Sequence, residues 1–184
     1  MRLAGIFTAV LVSQAACGAG TPGARSPGWQ APPYSSHDAE LFDDGIEPAA
    51  VGYAEDRPST PQADSRLRER AQIGDGILRV RVVTVTSKQE DSGPGWLIGF
   101  HTLEKIAGAS PPEGDFTLQV DSASPAAGIV RAFEGRLIGK TFLAFVREFA
   151  RPASGEGRWH FHLAPDAKDQ IDASRSAAAL GEVR

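Results

Sequence analysis

The regular alternation of apolar and polar residues from residue 77 onward is the feature that most limits the folds open to this chain. Two runs, at residues 77–82 and 115–121, carry an apolar side chain at every second position. The apolar members are Leu78, Val80 and Val82 in the first run and Phe116, Leu118 and Val120 in the second. A period of two places these side chains on one face of a β-strand and the polar residues on the other. The sequence therefore predicts a mainly β domain.

The full set of predicted strands covers residues 77–86, 96–103, 115–121, 141–149 and 158–163. The fourth run is apolar at both phases, which predicts a central strand, and a short loop joins it to the fifth as a hairpin. Residues 125–134 fit either a short helix or a further strand, and residues 166–180 predict a C-terminal helix. Several short antiparallel strands at this spacing favour a small antiparallel barrel or a strongly curved sheet, OB-like by architectural analogy, with one or two short helices.

The first seventeen residues have the organisation of a secretory signal. Arg2 precedes an apolar run at residues 3–12, and small residues then lead to Cys17, the sole cysteine of the chain. The apolar run is too short to remain as a transmembrane helix. Conventional cleavage within residues 13–16 would release a soluble secreted or periplasmic protein. Because Cys17 has no cysteine partner within the chain, the fold must form without an internal disulfide.

The sequence Ala15-Ala16-Cys17-Gly18 offers a second processing route, because it resembles the lipobox of bacterial lipoproteins. Gln14 stands where that family prefers an aliphatic residue. The resemblance covers only these residues, and it implies that the thiol of Cys17 receives a diacylglyceryl group. Membrane lipid is then the first expected partner. Gly18 differs from the Asp that retains many lipoproteins at the inner membrane, so the resemblance implies the outer membrane.

The predicted organisation has three parts. Residues 1–16 form the signal peptide, residues 17–63 a flexible tether with a short helix near residues 38–44, and residues 64–184 the β-rich domain. The tether is rich in Pro, Gly and acidic residues, a composition that buries too little apolar surface to offset the entropy lost on ordering.

The acidic part of that tether, residues 35–55, contains apolar side chains whose role the sequence leaves open. Leu41, Phe42, Ile46 and Val51 could dock on the protein's own domain. Alternatively, the segment forms a linear motif for a partner, for which an envelope protein is the candidate, with Leu41, Phe42 and Ile46 as the contact residues. The segment carries six acidic residues and no Lys or Arg.

Two histidines on the last predicted strand are the best candidates for chemistry. His160 and His162 are two residues apart, so both imidazoles project from one strand face and could supply two ligands to Zn or Cu. His101, on the polar phase of its own strand, is the candidate third ligand. The alternative, which we adopt, is an exposed polar face that carries two histidines beside Arg158.

The remaining sequence features mainly exclude function classes. A formal net charge of −4 argues against a nucleic-acid-binding protein, which normally carries a basic stripe. No motif indicates a cofactor, a catalytic residue or a resident metal. The sequence therefore predicts a membrane-anchored envelope lipoprotein with a small β-rich binding or structural module and no catalysis. The alternative is a metal-binding protein or an enzyme that uses His160 and His162.

Overall fold

The computed structural model describes residues 30–53, 60–90, 93–112, 114–151 and 154–181. Its helices are α1 (Ser36–Leu41), α2 (Ser65–Ile73), α3 (Ala126–Leu137) and α4 (Lys168–Gly181). Its strands are β1 (Gly45–Ile46), β2 (Gly76–Glu90), β3 (Gly93–Ala107), β4 (Asp115–Val120), β5 (Thr141–Ala150) and β6 (Gly157–Pro165). Short 3₁₀ helices occupy Pro48–Val51 and Pro61–Ala63. The signal peptide, Cys17 and the lipobox-like residues lie outside the described residues.

The six strands of the described chain form one open sheet in the order β1-β6-β5-β2-β3-β4. Neighbouring strands are antiparallel, except that β1 runs parallel to β6. The predictions of a mainly β fold, of a central β5 and of the β5–β6 hairpin are confirmed. The sheet is mixed rather than purely antiparallel, because β1 arrives from the N-terminal side of the chain and pairs with the last strand. Of the ambiguous residues 125–134, all but Pro125, the N-cap, belong to α3.

The sheet is strongly curved, as one ion pair between distant strands shows. Asp121 directly follows β4, and its carboxylate lies 2.9 Å from the guanidinium of Arg158 on β6. These strands are four positions apart in the sheet, and a flat sheet would separate them by about 19 Å at the usual strand spacing. The curved form of the predicted sheet is therefore present, without closure into a barrel.

Two apolar cores lie on the two faces of the sheet. The concave side, partly filled by α3, contains a cluster that includes Val80, Phe100, Leu118, Val130, Phe142, Phe161 and Leu163. The other side is covered by α1, α2 and α4, and its cluster includes Leu41, Phe42, Leu67, Leu143, Phe145 and Phe149. Both cores use β5, because its residues from Phe142 to Val146 are all buried. This explains why β5 is apolar at both phases of its sequence.

The N-terminal segment, which we define as residues 30–53, is part of the folded domain. Helix α1 begins with a capping box in which the Ser35 side chain accepts from the Asp38 amide and the Asp38 carboxylate accepts from the Ser35 amide. Backbone contacts then join the segment to β5, where the Ala150 amide donates to the Pro32 carbonyl at 2.8 Å. The expectation of a tether up to residue 63 is corrected here. The segment folds because its apolar side chains complete both cores.

None of the helices in the described parts of the chain is both long and apolar enough to cross a membrane.

Candidate functional site

His160 and His162 lie on β6, on the side of the sheet that α1, α2 and α4 cover. Their relative exposures are 9% and 7%, so the expectation of an exposed polar face is wrong. Alternation along β6 does place the two rings on the face opposite Phe161 and Leu163, as the sequence predicts. The N-terminal segment covers that face. Residues from this segment contact both rings, and we call the resulting group the histidine cluster: Tyr34, Asp43, Asp44, Glu47, His160 and His162.

Each ring nitrogen of His162 faces a carboxylate of the N-terminal segment. Nδ1 lies 2.9 Å from Asp43 Oδ1, and Nε2 lies 3.0 Å from Glu47 Oε1. A neutral imidazole carries one N–H and can donate to one of these oxygens, whereas the protonated ring donates to both. The two acceptors flank β1, which pairs with β6 at His162 and Leu163. The ring therefore joins both ends of β1 to the strand beside it.

His160 contacts an aromatic ring and lies beside a carboxylate. Tyr34 stacks on it with ring centroids 3.9 Å apart and planes 17° apart, and its hydroxyl donates to the Phe42 carbonyl at 2.6 Å. Nδ1 of His160 lies 3.0 Å from Asp44 Oδ2, but the alignment is not that of a hydrogen bond. Burial, together with the negative charges of Asp44 and Asp43, raises the pKa of Tyr34, so this hydroxyl remains a donor.

Asp44 connects three elements of the fold. Its Oδ1 accepts from the Phe161 amide at 3.2 Å, its Oδ2 from Arg158 at 3.4 Å, and its carbonyl from the Ala126 amide at the start of α3. Its φ of 50° lies in the left-handed region, which Asp tolerates better than most residues because its short side chain bonds locally. The conformation is stabilised here by contacts from both the carboxylate and the carbonyl.

A buried arginine supports the other side of the cluster. Arg70 on α2 is 5% exposed and donates to the Leu41 carbonyl at 2.6 Å. Burial lowers the pKa of Arg70, and the charges of Asp43 and Glu47 act against that shift. Burial acts to raise the pKa of Asp43, but its hydrogen bond to His162 and the nearby positive charges outweigh burial, so that the pKa lies below its usual value. The positive charge of Arg70 therefore lies close enough to Asp43 and Glu47 to interact with their carboxylates.

His101 does not join the other two histidines. It lies on β3, three strands from β6, and its Nδ1 is 2.6 Å from Asp115 on β4. Its side chain is 46% exposed and that of Asp115 is 73% exposed. Among the described residues, no group of three or more His, Cys, Asp or Glu side chains is arranged to hold a metal ion. The three-histidine ligand set considered from the sequence is not assembled.

The three apolar residues considered as a partner-binding motif are inside the protein. Leu41 and Phe42 belong to the core under α1 and α2, and Ile46 belongs to the core under α3. Their exposures are 1%, 0% and 5%. Their burial agrees with the interpretation that they dock on their own domain. The alternative, a linear motif in which these side chains contact a partner, is corrected.

A shallow groove of about 200 Å³ lies between α2, α4 and the 3₁₀ helix before α2. Its walls are mainly apolar and include Leu67, Ala177 and Leu180. Arg68 and Asp172 are among its polar lining residues. None of the histidines lines it. The titratable groups of the histidine cluster therefore face one another and not this groove.

Sequence reasoning missed Tyr34, Asp43, Asp44 and Glu47 as partners of the histidines. One signal was present: a segment with six acidic residues and no Lys or Arg precedes a strand face that carries Arg158, His160 and His162. Opposite charge of this kind is typical of two segments that pack together.

The sequence matches no protein-family model and no curated protein, so its function is inferred from the residues themselves.

Proposed function

We propose that this protein is a membrane-anchored envelope lipoprotein whose β-rich domain is a binding or structural module without catalysis. The observation that carries the proposal is the position of Cys17, the sole cysteine, directly after a short signal-like segment. Acylation of its thiol with two or more chains would give lasting membrane attachment, since each buried methylene contributes about 0.8 kcal/mol. The outer membrane is the proposed location.

The position of the N-terminal segment supports a short anchor. Twelve residues, 18–29, separate Cys17 from Gln30, the first described residue. A flexible chain of this length has a root-mean-square span of about 20 Å. This is smaller than the span of about 40 Å that a tether continuing to residue 63 would have. The proposed lipid anchor would therefore keep the folded domain close to the membrane surface.

For the histidine cluster we propose a structural role. His162 directs both ring nitrogens at carboxylates of its own chain, and His160 lies between Tyr34 and Asp44. These contacts fix the end of the domain from which the anchor leaves. Metal analysis of untagged protein tests this role against a metal-binding or enzymatic one. One tightly held ion per chain, lost when His160 and His162 are both replaced by Ala, would contradict the structural role.

Labelling with radioactive fatty acid tests the anchor itself. Wild-type protein should incorporate the label and fractionate with the outer membrane, and Cys17→Ser should lose both properties. Wild-type protein that takes up no label and is recovered in the soluble fraction would show that the signal is used for secretion alone. Far-UV circular dichroism of the variant checks that its fold is unchanged.

A further inference from the structure

The exposed side of α3 and the residues beside it form a patch of aromatic, aliphatic and basic side chains. We call this patch the α3 face and define it as Tyr53, Arg131, Phe133, Arg136, Ile138 and Lys140. Tyr53 is 55% exposed and Ile138 is 54% exposed, and among the large apolar side chains of the described residues only Leu180 is more exposed. Aromatic and aliphatic side chains at this exposure, mixed with arginines, are typical of a contact surface.

The two arginines of this face each lie over an aromatic ring, one on α3 and one on β3. The Arg136 guanidinium lies 5.2 Å from the centre of the Phe133 ring, and Tyr53 meets the same ring edge-on at 5.6 Å. The Arg131 guanidinium lies 5.7 Å from the Trp96 ring. The two arginines are five positions apart and so lie about 140° apart around the helix. They therefore border α3 on its two flanks.

The ridge between the arginines consists of small exposed residues. Gly128, Ala132 and Gly135 are spaced by four and three positions, which places them along the outer line of the helix. Small side chains along this line allow the helix to approach a flat surface closely. The cations on its two flanks can then reach that surface from both sides. Arg131, Arg136 and the nearby Lys140 outnumber Glu134, although the whole chain has a formal net charge of −4.

The N-terminal segment contacts the start of this helix. Tyr34 and Asp44 both contact His160, and the Asp44 carbonyl accepts a hydrogen bond from the Ala126 amide at the beginning of α3. Helix α3 has 12 residues and is about 18 Å long. Residues 18–29 extend to about 40 Å when fully stretched, so an anchored domain can place α3 on the membrane.

We propose that the α3 face lies against anionic headgroups of the bilayer that holds the protein. The proposal rests on the lipid anchor proposed above. Arg131, Arg136 and Lys140 contact the headgroup phosphates, and Ile138 and Tyr53 enter the interface beside them. A bilayer fits this face better than a protein groove does, because the ridge of α3 is flat and bordered by cations on both flanks.

Vesicle binding tests the face without the lipid anchor, so its outcome is separate from that of the labelling experiment. The chain from residue 17, carrying Cys17→Ser, is mixed with vesicles of phosphatidylcholine, with or without a minority of phosphatidylglycerol, and sedimented. We expect binding to the anionic vesicles only, and its loss in high salt. Each basic residue near such a surface contributes roughly fivefold, so Arg131→Glu with Arg136→Glu should lower the partition coefficient by at least about tenfold.

The matched control reverses the same number of charges on the other side of the sheet. Arg66→Glu with Arg68→Glu, on exposed positions of α2, should leave binding within about threefold of the parent. Thermal unfolding of both double variants checks that each is folded. Equal losses in the two double variants would show that net charge governs binding and would overturn the proposal. Equal binding to neutral and anionic vesicles would overturn it as well.

A fluorescent probe locates the contact directly. In the chain with Cys17→Ser, an environment-sensitive label is placed on Ile138→Cys and, as the control, on Leu180→Cys of α4. We expect a blue shift on anionic vesicles at position 138 alone. No shift at either position would overturn the bilayer contact, and crosslinking from position 138 to an envelope protein in intact cells would then assign this face to a protein partner.

Discussion

Replacing His162 by alanine should cost far more stability than replacing His101, although both rings contact a carboxylate at a similar distance. Nδ1 of His162 lies 2.9 Å from Asp43, and Nδ1 of His101 lies 2.6 Å from Asp115. The side chain of His162 is 9% exposed, whereas that of His101 is 46% exposed. A buried hydrogen bond to a charged group contributes about 1.5–3 kcal/mol, whereas an exposed contact of the same kind contributes about 0–1 kcal/mol.

The partners of His162 set where its cost falls within that range. Asp43 and Glu47 keep 29% and 24% of their side-chain surfaces exposed, so water compensates them in part when the ring is lost. We therefore expect His162→Ala to lower the free energy of unfolding by about 1.5–3 kcal/mol. His101→Ala should lower it by less than about 1 kcal/mol, because Asp115 is already hydrated.

Urea denaturation at neutral pH measures both values, and an unchanged m value shows that the two variants unfold from comparable states. A double-mutant cycle that adds Glu47→Gln isolates the coupling between Glu47 and His162, which should exceed about 1 kcal/mol. If His162→Ala and His101→Ala differ by less than about 0.5 kcal/mol, burial does not set the value of these contacts, and the N-terminal segment is held by other residues.

Three further outcomes follow from the same structure. Phe42→Ala should cost about 3–5 kcal/mol in chemical denaturation, because it opens a cavity in a core, whereas Tyr53→Ala at an exposed site should cost less than about 1 kcal/mol. A fragment beginning at Gly74 should show no cooperative thermal transition by circular dichroism, because it lacks α1 and α2, which help to cover one of the two cores. A sharp transition in that fragment would mean that the N-terminal segment is dispensable. Asp43 has a folded-state pKa below the ordinary 3.8. Its contribution to stability is therefore present above pH 3.8 and is lost as the pH falls through the folded-state pKa. Asp43→Asn should reduce the dependence of the free energy of unfolding on pH in this acidic range.

The strands could be predicted because their signal is local. Alternation within residues 115–121 and the two-sided apolar run at residues 141–149 fixed the type and the burial of β4 and β5. The long hairpin of β2 and β3 was predicted too short, since its distal part on β2, around Lys88 and Gln89, is exposed and carries no apolar alternation. Hydrogen bonds to β3 define these residues as a strand, and sequence pattern does not report such bonds.

The histidine cluster could be predicted only in part. Spacing along β6 places His160 and His162 on one face, but it does not tell whether another segment covers that face. The covering segment is distant in sequence, and β1 contains only Gly45 and Ile46, which is too short to show any periodicity. The acidic side chains that made this segment look like an unfolded tether are the groups that contact Arg158, His160 and His162 on β6.

The histidine cluster joins residues that are far apart in the sequence, and this separation also affects the order in which the protein can fold. His162 bonds Asp43 and Glu47 across 119 and 115 positions of sequence, so these contacts close one of the longest loops in the chain. Closing long loops is entropically costly and slow, and proteins rich in such contacts fold slowly. The acidic segment is also synthesised long before β6. Newly made protein therefore cannot complete the histidine cluster before β6 is present, and until then Asp43 and Glu47 lack their contacts with His162.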